Sequence, residues 1–260
     1  MEAFLIRYNT WATEQQRKHL AEHKDGVPPH LMALVCETEA ALHKIAITVE
    51  LPLETLLDHT NTATSLRGRI SGLLCMAGLK PLALDALYVR AETPITGKGA
   101  KDLLLHHAQQ SIDEYKALFA LMKDSVSDEQ YHANSGLCFR SIHGTLNHML
   151  LGDLVWYERL HGKAEVSRFD SFWERPDEEL YATRDSAKID WEEYIANRTE
   201  LSMAIIKQAL LWREFVEGLD NVLENQFEKG LGRILFHAVN HGYHHRGQVF
   251  ATLKTLGIAV

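Results

Sequence analysis

Apolar residues recur at every third or fourth position along most of the chain, and the alternating Val, Ile and Thr pattern of a strand never persists. This periodicity predicts an all-α protein. Phe4, Ile6, Tyr8 and Trp11 open a first helix that Gly26 and the pair Pro28-Pro29 should end. A second helix is expected from His30 to Val49, and Pro52 stands where the first turn of a third begins, which reads to about Met76. From Gly78 to Gly99 the period loosens around Pro81, Pro94, Gly97 and Gly99, which suggests a linker or domain boundary. Two parts follow: an N-terminal helical region over 1–98, of no evident role, and a helical bundle over 99–260.

The second part is more regular. Leu104, Ala108, Ile112, Tyr115, Leu118, Phe119 and Met122 share one broad face, predicting a helix from Lys101 to Lys123. Ser141 is a natural N-cap for an amphipathic helix through Ile142, Leu146, Met149, Leu150, Leu154 and Tyr157 that stops near Gly162. Asp190 can cap a helix from Trp191 to about Val216, and a final helix should run from Leu231 to about Leu256, closed by Gly257. Four long helices make a bundle, and no internal repeat interrupts them.

At 260 residues, 46% apolar and 24% charged, the chain has an ordinary globular composition. Its formal charge of −8 disfavours a phosphate-backbone partner, so no nucleic acid is expected. No apolar stretch approaches the ~20 residues of a membrane helix, and the start lacks a secretion signal, so a cytoplasmic protein without membrane contact is expected. Cys36, Cys75 and Cys138 form no Cys-x-x-Cys pair and read as reduced structural thiols. A catalytic Cys138, in the loop Asn134-Ser135-Gly136-Leu137-Cys138, is the minor alternative.

The candidate chemistry lies in histidine. The last helix carries His237, His241, His244 and His245, and positions four apart on a helix lie almost above one another, so His241 and His245 can aim at one point. By spacing alone His244 could replace His245 as the partner. With 15 histidines in the chain, roughly one such pair arises by chance, and His19 and His23, among Arg17, Lys18, Glu22 and Lys24, form a solvated example. The C-terminal pair differs because it sits among Leu235, Phe236, Val239, Val249 and Leu253. Burying imidazoles is costly unless each nitrogen has a partner, and a metal ion is one such partner; hydrogen-bonded core histidines are the plainer one. His148 alone reads more readily as structural than as a ligand, although Gly144 and Gly152, one turn to either side, leave room for a neighbouring helix or a substrate.

Two segments carry a family resemblance. Ser141-Ile142-His143-Gly144-Thr145-Leu146-Asn147-His148-Met149-Leu150-Leu151-Gly152-Asp153 resembles the second bundle helix of the DinB family, and His237-Ala238-Val239-Asn240-His241-Gly242-Tyr243-His244-His245-Arg246-Gly247-Gln248 resembles its last. The resemblance covers the final 160 or so residues and implies a C-terminal four-helix bundle of DinB type behind an N-terminal helical extension. It implies metal ligation by His148, His241 and His245, while His237 matches a position that is usually not a ligand. Tyr8-Asn9-Thr10-Trp11-Ala12 resembles the family's first helix too, but the helix after Lys101 fits that place better by spacing.

Three imidazoles leave coordination positions open, as catalytic sites do. One divalent transition metal is expected, zinc or nickel ahead of iron or manganese. A His-Glu-x-x-His protease is excluded because Gly242 stands where the general-base Glu would be. Gln248, on the ligand face, is expected to orient water or substrate, His237 to be a polar neighbour of the site, and Asn147 and Asn240 to support ligands or bond between helices. DinB-like proteins include thiol transferases and others described as metal-dependent hydrolases, so the resemblance implies a small-molecule substrate; the missing base favours activation of a low-molecular-weight thiol over hydrolysis by metal-bound water. A non-catalytic metal-binding bundle and a homodimer are compatible with the same residues. A di-iron site would need Glu129/His132 and Glu158/His161, which have the spacing but not a core placement.

Overall fold

A computed structural model of the chain describes residues 2–48, 50–80, 84, 86, 89, 99–158, 160, 161, 193–219 and 230–260. These form α1 (Glu2–His23), α2 (Pro29–His43), α3 (Leu53–Met76), α4 (Ala100–Ser125), α5 (Asp128–His132), α6 (Ile142–Glu158), α7 (Arg198–Gly218) and α8 (Leu231–Thr255). The fold is all-α, as the periodicity predicts.

Local chemistry sets most helix ends. Pro29 occupies the first turn of α2 and Pro52 precedes α3, positions where a missing N–H costs nothing. The Ser141 hydroxyl accepts from the Gly144 N–H at 2.8 Å and so starts α6. Gly257, at φ 77°, turns the chain out of α8 while the Ile258 N–H bonds back to Leu253 O at 2.9 Å. Two expectations are corrected. The second helix ends at His43 instead of Val49, where Ile45, Ile47, Thr48 and Val49 form a β-branched run of low helix propensity. The helix before the last starts at Arg198 because Asn197 caps it, accepting from Thr199 and Glu200 N–H at 2.9 and 3.0 Å; the expected cap Asp190 and Trp191 lie outside the described residues.

Helix α8, with 18 buried residues, packs on α3, α6 and α4 at once. Its contact with α3 is backbone to backbone. A Cβ at Gly68 would lie 2.0 Å from His244 O, and one at Gly247 would lie 2.0 Å from Ser65 O. Only glycine at both places lets the two helices approach this closely. The N-terminal helices also share a core with the bundle: Phe4, Leu5, Tyr8, Leu56 and Leu57 pack with Leu103, Leu104 and Phe236. The boundary expected near Lys98 falls outside the described residues.

Cys75, at the end of α3, is disulfide-bonded to Cys138 in the loop before α6, and Cys36 is free and exposed. This corrects the expectation of three reduced thiols. The partners are separated by 63 residues, and the loop that carries Cys138 packs against the end of α3, where a Cβ at Gly136 would lie 3.1 Å from Met76 Cα. Among the described residues, no helix is long and apolar enough to cross a membrane.

Candidate metal centre

Helix α6 contributes His148 and α8 contributes His241 and His245. Helix α8 is anchored on α4 by Arg246, a buried side chain about 100° around the helix from His245. The Arg246 guanidinium donates to Ser111 Oγ at 3.0 Å, pairs with Glu114 Oε2 at 3.2 Å, and stacks 4.2 and 4.1 Å from the ring centres of Tyr115 and Tyr243. With that face held against α4, the next residue back, His245, points toward α6.

The three imidazoles meet. One ligand atom from each of His148, His241 and His245 lies within 4.8 Å of the other two, and among the described residues this is the group of three or more donor side chains so arranged. His241 Nε2 and His245 Nε2 are 3.0 Å apart. Two nitrogens each ~2.0–2.1 Å from one ion, at octahedral to tetrahedral angles, are about 2.9–3.4 Å apart, so the spacing fits a shared metal. His244, the alternative by sequence spacing, turns aside: its carbonyl faces Gly68 and its ring lies 5.3 Å from that of His245.

Protonation states also suit a metal. Burial, reinforced by the neighbouring imidazoles, holds the pKa of His148 and of His241 well below the ordinary histidine value. Both rings are therefore neutral at pH 7, and neutral imidazole is the form that binds metal. The Nδ1 of His245 lies 2.7 Å from Gln248 Oε1. An amide oxygen can only accept, so Nδ1 carries the proton and the Nε2 lone pair faces His241.

The surroundings shape access. Gly152 lies against His241: a Cβ there would come within 3.1 Å of Cε1, so the space left by this glycine admits the ligand ring. The Phe139 ring stacks on His148 with centroids 3.7 Å apart and planes 13° apart, and sits 5.7 Å from His245. His241 remains part-exposed, whereas His148 is 2% exposed, which places the accessible side of the cluster at His241. His237 continues the row by one turn, 5.6 Å from the His241 ring and 5.2 Å from the ring of Trp156 on α6.

Other residues singled out in the sequence have structural partners. Asn147 clamps the segment before α7, its amide donating to Ile195 O at 3.3 Å and its oxygen accepting from Ile195 N–H at 3.1 Å. Asn240 donates to the Tyr8 hydroxyl at 3.0 Å, joining α8 to α1. Gln248 spends its oxygen on His245 and its nitrogen on Ser71 Oγ of α3, at 3.3 Å. Glu129 and His132 are exposed on α5 and His161 is exposed beyond α6, so neither Glu/His pair joins the cluster; the side chain of Glu158 lies outside the described residues. Phe139, Trp156 and Ser71 were not singled out. An aromatic residue beside a cysteine and a serine on a distant helix carry no local signal of a metal centre.

The comparisons with known proteins agree with this arrangement. The model of the DinB family matches residues 101–260, which include all three histidines and exclude α1 to α3. The chain is also similar to the protein DinB of Bacillus subtilis (strain 168), 28% identical over 148 residues that cover 55% of this chain and 79% of that protein. No solved structure matches. With more than half its length matched and the motif histidines gathered at one point, the chain belongs to the DinB family.

Proposed function

We propose that the protein is a metal-dependent transferase that activates a low-molecular-weight thiol at His148, His241 and His245 for attack on a small electrophile. The observation that supports this most is a cluster made of imidazoles alone. A divalent ion held there would keep a coordinated thiol deprotonated at neutral pH, which supplies the nucleophile. Metal-bound water could also be deprotonated there, but hydrolysis gains from a carboxylate base to move the next proton; Gly242 stands where one would be in a protease motif, and Gln248, bonded to His245 and Ser71, cannot take a proton.

The protein's residues would act as follows. His148, His241 and His245 bind the ion as neutral donors, and Gln248 keeps His245 in the required tautomer. Phe139 covers the His148 side and excludes water from it. Substrates enter beside part-exposed His241, where Trp156 and His237 offer an aromatic wall with one imidazole.

The test is a conjugation assay. Zinc- or nickel-loaded protein is mixed with cysteine, glutathione and other small thiols, each with a chromogenic electrophile, and the same protein is offered activated esters. Metal-dependent thioether formation that disappears in His245→Ala supports the proposal. Ester hydrolysis without thiol conjugation assigns the site to a hydrolase, and metal-replete protein inactive in both assays, but unfolded by chelation, makes the metal structural.

A further inference from the structure

The metal centre has a support that the family match does not contain. Gln248 Oε1 accepts from the Nδ1–H of His245 at 2.7 Å, while Gln248 Nε2 lies 3.3 Å from Ser71 Oγ. Ser71 belongs to α3, and the matched region begins at residue 101. All three side chains are buried, so no bulk water competes for these bonds.

A glutamine amide beside a histidine keeps its place through the partners at both of its ends. The Ser71 hydroxyl accepts from Nε2 and holds the amide with Oε1 toward His245. The reverse orientation would present an N–H to Nδ1, shift the imidazole proton to Nε2, and occupy the lone pair that points at His241. Ser71 thus anchors the amide that meets a ligand two side chains away. Its reach depends on the glycine contact: a Cβ at Gly72 would lie 3.0 Å from Gln248 Cα, and one at Gly68 would strike His244 O, so a thicker α3 would stand too far off.

We propose that Ser71 and Gln248 are positioning residues for His245, so that α3, outside the family-matched bundle, is an integral part of the metal centre. This rests on the reading of the three histidines as ligands, and the test separates the two.

Zinc affinity is measured by chelator competition, and the visible spectrum of the Co²⁺-loaded protein is recorded, for the full chain and for Ser71→Ala, Gln248→Leu and Gln248→Glu. Thr62→Ala, at an exposed position on α3, serves as control. Gln248→Leu should weaken zinc binding about 10- to 100-fold and alter the Co²⁺ bands. Ser71→Ala should weaken it several-fold in the same direction, Gln248→Glu should restore most of the affinity because a carboxylate still accepts from Nδ1–H, and Thr62→Ala should change nothing. Parent protein that binds neither ion overturns the ligand reading. Parent protein that binds both, with unchanged affinity and spectrum in Ser71→Ala and Gln248→Leu, overturns the role of α3 alone; should Gln248→Leu not fold, Ser71→Ala decides by itself.

Discussion

His241 Nε2 and His245 Nε2 face each other at 3.0 Å across one turn of α8. Helix geometry brings two such rings to the same side, but convergence at this distance also needs α8 anchored on α4 by Arg246 and the His245 ring turned by Gln248. His148 completes the group from α6 because Asn147, its neighbour, ties that helix to Ile195. The site is thus a property of the packed bundle, and changes some distance away should alter it in specific ways.

Phe139 is the first such place. Its ring covers His148 without donating to a metal, so we predict that Phe139→Ala leaves the stoichiometry of bound zinc unchanged but accelerates its transfer to a chromogenic chelator several-fold. A stopped-flow chelation trace checks this, and an unchanged rate would assign the stack to packing alone.

The glycine crossing of α3 and α8 predicts a contrast between two identical substitutions. Gly247→Ala puts a methyl group into Ser65 O and should destabilise by roughly 1–3 kcal/mol or more. Gly218→Ala, where nothing lies within 4 Å, should be neutral or stabilise by up to about 1 kcal/mol. Urea denaturation of both variants measures the difference, and equal effects would mean that the helices are not in backbone contact.

Asp153 predicts a pH dependence. Burial, against the pull of Arg246 and Trp212, raises its pKa from 3.8 to about 8, so the native carboxyl holds a proton that the unfolded chain releases. Its contribution to stability is full below 3.8 and is lost as pH rises toward about 8. His148 and His241 act oppositely: their native rings stay neutral while unfolded ones take up protons below about 6.5, so stability falls on acidification. We predict that Asp153→Asn flattens the decline between neutral pH and about 8 and steepens the acid limb, which Asp153 partly offsets in the parent. Urea midpoints of the metal-free protein from pH 5 to 9 report both limbs, and an unaltered alkaline limb would contradict this account.

Much of this was legible in the sequence where the signal is local. Pro52, Ser141 and Gly257 mark helix ends through their own backbone chemistry, and a four-residue repeat of histidine on an apolar helix is a geometric statement in itself. The identity of the third histidine was legible mainly through resemblance; the local sign was Gly144 and Gly152 one turn to either side of His148, and Gly152 lies against His241. Asn197 caps α7 where the sequence expectation has Asp190; both residue types are good caps, and which one serves depends on where the preceding turn lies. The pairing of Cys75 with Cys138, the stack of Phe139 on His148 and the bond from Ser71 to Gln248 each join residues far apart in the chain, and periodicity carries no information on which helices meet.

Elemental analysis of the purified full chain, after reconstitution with zinc or nickel and removal of loose ions, decides whether the three histidines hold a metal. About one divalent ion per chain is expected in the parent, nearly none in His148→Ala, His241→Ala or His245→Ala, and most of it in His237→Ala. A parent protein without tightly held metal, or a His245→Ala variant that keeps a full equivalent, would contradict the ligand assignment.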